Sequence, residues 1–279
     1  MTDYLSASQL VMFQRCAEQW RRRFLEEDFA PPAIPVLVGR TVREVALAAL
    51  RRKLDADAFP SPEELADLAA DAFNRRAAEG VYVAPEELSS VRASLTDAKN
   101  AALSLVALFR AELVPRLDPV LADERALLDL GLPMPVTVNL HCLNRNGEAH
   151  HIATAAKRWN PDRAHASPDP ALRREALRQR SGAAPASLIC DVLVSTRTPA
   201  LQRIETSRAP GDLLAVIRAF RFMLNAVDAG IFPPAPPESW ICSPRWCPYF
   251  YSCSHVPARR KILPVGVHGA RGRLLSVVP

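Results

Sequence analysis

The sequence lacks the features of an exported or membrane-spanning protein. Although 49% of its 279 residues are hydrophobic, it has no apolar run close to the roughly 18 residues that a transmembrane helix needs. Residues 1–6 lack the basic and then apolar layout of a signal peptide, so we expect a cytoplasmic location and no membrane partner. In that compartment the six cysteines are better explained as thiols or metal ligands than as disulfides.

Internal repeats and a second hydrophobic core are also lacking, which predicts one domain over residues 1–256.

Acidic residues are absent from residues 257–279, which alone carry the formal net charge of +5. The rest of the chain is therefore neutral, and any basic groove must come from arrangement rather than excess. We expect 257–279 to be a flexible basic tail that either contacts phosphates or is simply solvated. Its basic residues are Arg259, Arg260, Lys261, Arg271 and Arg273.

The first part of the chain has helical periodicity. Ser6 with Gln9 forms a capping box, and an apolar stripe from Leu10 to Phe24 predicts one helix with Cys16 beside the stripe. Ser61 and Glu64 form a second capping box. Further helices are expected over about 38–54, from Ser61 to about 79, and over about 86–115, so that an inserted helical region covers about 55–118.

Alternating and short apolar runs then predict strands. They cover about 120–130, 136–143, 149–156, 188–194 and 201–205, with helices at about 171–180 and 211–229. The tetrapeptide 144–147, Asn-Arg-Asn-Gly, predicts a hairpin turn, and Gly230 is expected to end the last helix.

Three cysteines, Cys242, Cys247 and Cys253, lie within twelve residues among aromatics and prolines. Such thiols suit zinc and an iron–sulfur cluster equally well, but the paired Cys-x2-Cys knuckles of most structural zinc sites are missing. Three unlinked thiols are the plainer alternative. Cys142 and Cys190 lie on apolar strands and are expected to be buried core residues.

Several segments together resemble the RecB-type iron–sulfur nucleases of the PD-(D/E)XK superfamily. They are residues 5–20, 39–43, 153–159 and 191–194. The resemblance implies an α+β fold of restriction-endonuclease type, in which helices flank a mixed sheet, with an N-terminal helical region and an Fe–S cap. It also implies a [4Fe–4S] cluster that joins both ends of the domain. Its ligands would be Cys16, Cys242, Cys247 and Cys253, and the cofactor alternative is zinc.

The catalytic positions that the resemblance implies are degenerate. Cleavage in this superfamily needs carboxylates that hold Mg²⁺ or Mn²⁺, and a lysine commonly assists. The expected His is Arg43, the expected Asp is His141, or Asn139 after a shift of two, and the Asp-x-Lys motif falls on 151–153. His151 and Ala153 therefore stand where the acid and the lysine belong. A shift of two would instead pair Lys157 with Ala155, and neither register restores an active site.

The turn type decides whether two histidines meet. A three-residue loop, 145–147, sets His141 opposite His151, where the pair would bind a softer ion such as Zn²⁺ or Mn²⁺ or would only fill the vacated pocket. A two-residue turn at 146–147 sets His141 opposite Ile152 instead. Asp162, Asp169 and Glu148 are near in sequence, but none is expected at a strand position that faces this pocket.

Three functions remain open at this point. The first is a catalytically impaired nuclease-fold protein that binds DNA, or a helicase or nuclease partner, in DNA processing, recombination or repair. The second is an active metal-dependent DNA exonuclease with atypical ligands, for which Mg²⁺ or Mn²⁺ would be needed. The third is a zinc-stapled interaction protein, with which the neutral body of the chain is compatible.

Overall fold

The fold is described by a computed structural model that covers residues 3–261, so positions 262–279 of the predicted tail lie outside the described residues. The helices are α1 (Ala7–Arg15), α2 (Ala17–Phe24), α3 (Ile34–Ala56), α4 (Pro62–Ala78), α5 (Val91–Leu108), α6 (Pro161–His165), α7 (Asp169–Ser181) and α8 (Pro210–Asp228). The strands are β1 (Leu5–Ser6), β2 (Pro119–Leu128), β3 (Val136–Asn144), β4 (Glu148–Ala155), β5 (Ser187–Val194) and β6 (Ala200–Thr206). No helix within residues 3–261 combines the length and the apolar composition that crossing a bilayer requires.

The strands form one mixed sheet in the order β1-β3-β4-β5-β6, with β2 also paired to β3. β3 is antiparallel to β2 and β4, β5 is antiparallel to β6, and β4 runs parallel to β5. The two-residue β1 lies parallel to the start of β3. A parallel pair needs a crossover connection, and here α6 and α7 form it between β4 and β5.

Helices cover both faces of the sheet because successive strand residues point to opposite sides. On one face Cys142, Ile152 and Leu193 pack against α3, on which α4 and α5 rest. On the other face Ala149 and Leu188 pack in a second core with residues of α1, α7 and α8. The expectation of a mixed sheet flanked by helices is thus confirmed.

The predicted long helix over 86–115 is divided into pieces. A 3-10 segment (Pro85–Ser90) precedes α5, and a π turn (Phe109–Leu113) and a 3-10 turn (Val114–Arg116) follow it. Pro115 lacks the N–H group that would continue the α-helical hydrogen bonds, which explains the change of winding at this end. The capping box of α4 is present, because Ser61 Oγ accepts from the Glu64 amide at 3.1 Å and the Glu64 carboxylate accepts from the Ser61 amide at 2.7 Å.

The predicted first helix is also wrong in one respect, because it breaks at Cys16. The Cys16 backbone is extended, with φ −162° and ψ 96°, and separates α1 from α2. The next amide, that of Ala17, donates to the carbonyl of Pro233 at 3.0 Å instead of continuing α1. This long-range hydrogen bond joins the start of the chain to the segment that leads into the cysteine loop.

We expect the Gly39→Ala variant to be less stable than the Gly211→Ala variant by about 1–3 kcal/mol, the usual cost of overpacking. A Cβ at Gly39 in α3 would lie 2.7 Å from Thr154 Oγ1 of β4, whereas a Cβ at Gly211 in α8 meets nothing within 4 Å. Both changes gain similar helix propensity, so the control removes that effect. Urea denaturation of the two proteins measures the difference, and equal midpoints would contradict the close approach of α3 to β4.

Candidate functional site

A cavity of about 70 Å³ lies between α7 and the strands β3, β4 and β5, at the place where the catalytic positions were expected. Apolar side chains such as Leu140, Leu177 and Leu188 form much of its wall. The side chains with polar groups that line it include His141, His151, Trp159, Asp169, Arg173 and Cys190.

The hairpin has the three-residue loop, which brings the two histidines of the cavity together. Cys142 pairs with His150 and Leu143 with Ala149, so the next pair along the strands is His141 with His151. Their ring centroids lie 4.4 Å apart. Gly147 makes the turn possible, because its φ of 85° is one that glycine adopts without strain.

Both imidazoles are held in the neutral form. The amide of Ile152 donates to Nδ1 of His141 at 3.1 Å, which places the ring proton of His141 on Nε2. Burial lowers the pKa of His141 well below 6.5, and the positive charges of Arg173 and Arg43 lower it further. Burial is also the main cause of the lowered pKa of His151, whose Nδ1 is buried without a hydrogen-bond partner.

Arg173 of α7 supplies a buried positive charge to the same cavity. The residue is only 8% exposed, and its Nε has no hydrogen-bond partner. Within residues 3–261, Asp169 is the carboxylate that comes within 4.0 Å of its guanidinium, at 3.6 Å, and the Asp169 side chain is 40% exposed. Sequence reasoning missed this pair because it looked for chemistry on strands, yet the four-residue spacing of Asp169 and Arg173 on one helix face was visible.

The other predicted positions contribute less to the cavity. Arg43 is exposed on α3 and acts on the histidines only through its charge. Ala153 packs in a small apolar cluster with Trp159. Asn139 and Lys157 are exposed, so neither alternative register places a polar group inside.

Within 3–261, no three His, Cys, Asp or Glu side chains converge in an arrangement that would hold one metal ion. Glu148 and Asp162 are not among the residues that line the cavity, as expected, whereas Asp169 reaches it from α7. The prediction that His141 and His151 bind Zn²⁺ or Mn²⁺ stays a prediction.

The opposite face of the same strands carries a closed polar network. His150 Nδ1 lies 2.6 Å from Asp191 Oδ2, and both side chains are fully buried. Asn144 Nδ2 lies 3.1 Å from the other ring nitrogen of His150, and Arg203 Nε lies 3.2 Å from Asp191 Oδ1. His150 and Asp191 of this network are buried within the sheet, and Arg203 covers it at the surface, so we assign it a structural role.

The four predicted cluster ligands line a second, smaller cavity of about 30 Å³. Cys16 reaches it from the break between α1 and α2, and Cys242, Cys247 and Cys253 reach it from the C-terminal loop. Burial, with smaller contributions from the other three cysteines, raises the pKa of the Cys247 thiol to about 12. Four thiols around one cavity are the donor type that a cluster or zinc takes, although within residues 3–261 they do not converge closely enough to hold a single metal ion.

The cysteine loop is fixed on the N-terminal half of the domain. Arg22 of α2 donates to Ser252 Oγ at 2.9 Å, and its guanidinium lies 5.5 Å from the centre of the Tyr249 ring. The Tyr249 hydroxyl donates to the carbonyl of Asp28, and that of Tyr82 donates to the carbonyl of Pro244. The cysteines therefore occupy a supported position rather than a free loop.

The first residues of the expected flexible tail contact the cysteine loop. A 3-10 turn (Ala258–Arg260) follows the cysteine loop. Arg260 donates to the carbonyls of Pro237 at 2.5 Å and Cys242 at 2.9 Å. The guanidinium is held by these carbonyls, so its charge is not available to a mobile arm.

Comparisons with known proteins bear on the fold. No family model matches the sequence, and no curated protein matches it. The chain is similar to the crystal structure of a "Putative exonuclease" from Eubacterium rectale, with a TM-score of 0.53 and 12% sequence identity. The likeness covers 86% of this chain and 87% of the other. At this identity it shows a nuclease-like fold alone.

The histidine pair should make stability depend on pH between about 6.5 and 5. The folded-state pKa of each ring lies well below the unfolded value near 6.5, so the unfolded chain binds more protons and stability falls as pH falls. Each ring contributes at most about 1.4 kcal/mol per pH unit. We expect the double variant His141→Asn, His151→Gln to show a flatter slope in urea denaturation across this range.

The matched control for this experiment is His165→Gln, which removes an exposed histidine. It should keep the slope of the unaltered protein. If the double variant and the control share one slope, the two buried rings do not carry the acid sensitivity.

Proposed function

We propose that this chain is a nuclease-fold protein that no longer cleaves by the metal-dependent route and instead binds DNA, or a helicase or nuclease partner, in DNA processing or repair. The observation that carries the proposal is the lining of the main cavity. Two neutral histidines and a buried arginine occupy it, and its carboxylate, Asp169, is exposed and near Arg173.

Charge supports the loss of cleavage. Hydrolysis of a phosphodiester by this route needs carboxylates that hold Mg²⁺ or Mn²⁺ close to the phosphate. A buried guanidinium beside the position of such an ion would repel it, since two like charges in a poorly solvated site interact strongly. Imidazoles prefer softer ions than Mg²⁺, so His141 and His151 do not replace the missing oxygen ligands.

A structural [4Fe–4S] cluster belongs to the same proposal. Cys16, Cys242, Cys247 and Cys253 would hold it, and their position around one cavity supports this assignment. When bound, the cluster supplies bonds between iron and cysteine sulfur that close a loop of more than 200 residues and so disfavour the unfolded chain. Zinc on the same thiols is the alternative, and metal analysis of anaerobically purified protein separates iron from zinc.

Cys16→Ser should lose the brown chromophore of the purified protein and lower its melting temperature by about 10 °C or more, because the link between the two ends is lost. Absorption spectra and thermal unfolding under anaerobic conditions measure both effects. Cys142→Ser is the control, since Cys142 is buried on β3, does not line the cysteine cavity and should keep the chromophore. A Cys16→Ser protein with unchanged colour and melting temperature would remove Cys16 from the ligand set.

An active exonuclease is the second candidate, and the contact between the His141 and His151 rings favours it. We expect no cleavage of single- or double-stranded DNA with Mg²⁺, Mn²⁺ or Zn²⁺, together with measurable binding of the same DNA by fluorescence anisotropy. Cleavage that His151→Ala abolishes and His165→Gln preserves would establish the second candidate. If the protein neither cleaves nor binds DNA, the part of the proposal that remains is binding to a helicase or nuclease partner.

A further inference from the structure

Three buried donors without partners surround the main cavity. The buried polar atoms that lack a hydrogen bond include Arg173 Nε, Trp159 Nε1 and His151 Nδ1, and all three residues line this one cavity. The nitrogen atoms of Arg173 and Trp159 can only donate, and His151 Nδ1 donates in one of its two neutral forms. Unpaired buried donors are costly, so several around one space indicate a missing acceptor.

The acceptor should carry negative charge because Asp169 only partly neutralises Arg173. Its guanidinium is buried, and the exposed carboxylate of Asp169 lies 3.6 Å away, which is too far for a good charge-assisted hydrogen bond. Cys190 in the cavity wall does not serve as an anion, because burial raises the pKa of its thiol to about 12. His141 adds a further donor, since the Ile152 amide leaves its ring proton on Nε2.

The surroundings hold these donors in place. Gln202 of β6 accepts from the Trp159 amide and donates to the Trp159 carbonyl, both at 2.8 Å. Arg208 donates to the carbonyls of Ala164, His165 and Ser167, which fixes the loop between α6 and α7 at the rim. A preorganised ring of donors binds an anion with little loss of conformational freedom.

We propose that this cavity binds a phosphate group directly, without a metal ion, through Arg173 with Trp159, His141 and His151 as neutral donors. A volume of about 70 Å³ accepts a small oxyanion. The group is either free inorganic phosphate or the terminal phosphate of a nucleic-acid strand. The second source rests on the proposed DNA binding, and the first does not.

The test uses the full chain treated with EDTA and titrated with inorganic phosphate at constant ionic strength, with binding measured by calorimetry and by the rise in melting temperature. Arg173→Gln should weaken phosphate binding at least tenfold. Without phosphate this variant should melt no lower than the unaltered protein, because it removes a buried charge whose carboxylate partner, Asp169, is half-exposed and 3.6 Å away. Arg180→Gln is the control, since Arg180 is an exposed residue of the same helix and should bind phosphate normally.

A pair of oligonucleotides of one sequence, with and without a 5′ phosphate, distinguishes the sources. If the phosphorylated strand displaces inorganic phosphate and the unphosphorylated strand does not, the ligand is a terminal phosphate. If inorganic phosphate binds and the phosphorylated strand does not displace it, the ligand is a free oxyanion. Three results would overturn the proposal. The unaltered protein does not bind phosphate, it binds phosphate only after Zn²⁺ is added, or Arg173→Gln binds phosphate as tightly as the unaltered protein. If the unphosphorylated strand does not bind, the proposed DNA binding is refuted. The proposed binding of phosphate in this cavity is not affected by that result.

Discussion

The register of the hairpin between β3 and β4 is the constraint on which the site depends. Asn144 supports it from the end of β3, because its Nδ2 lies 3.1 Å from Nε2 of His150 on β4. A shift of one residue would turn each side chain of β4 to the other face of the sheet. His151 would then leave the cavity under α7 and enter the helical core on the α3 side.

Buried polar groups have different partners on the two faces of this hairpin. On the α3 side, His150 lies within hydrogen-bond distance of Asn144 and Asp191, and Asp191 Oδ1, which has no hydrogen bond, has the charge of Arg203 3.2 Å away. On the α7 side, His151 and Arg173 each keep a buried nitrogen without a partner. Since one strand, β4, carries both arrangements, the unpaired groups reflect a property of the cavity and not loose packing of the sheet.

Much of the fold could be predicted from sequence because its signals are local. The alternation in β3 and β4 and the capping box at Ser61 each act within a few residues, and all three are present. The break at Cys16 could not be predicted, since it depends on a hydrogen bond from Ala17 to the distant Pro233. Only part of the site could be predicted. Strand alternation predicts that His141 and His151 lie on one face of the sheet, but the approach of Arg173 depends on how the crossover helix α7 packs on that face.

Burying the guanidinium of Arg173 lowers the free energy of unfolding, so a stabilising role does not explain why this residue is there. An apolar side chain of similar length at position 173 would pack against Leu177 and Leu188 without removing a charge from water. A carboxylate-lined cavity at this edge of the sheet would attract a cation and, through it, a phosphate. A cavity lined by Arg173 and neutral donors has the opposite sign and would attract the phosphate itself, without a metal ion between them.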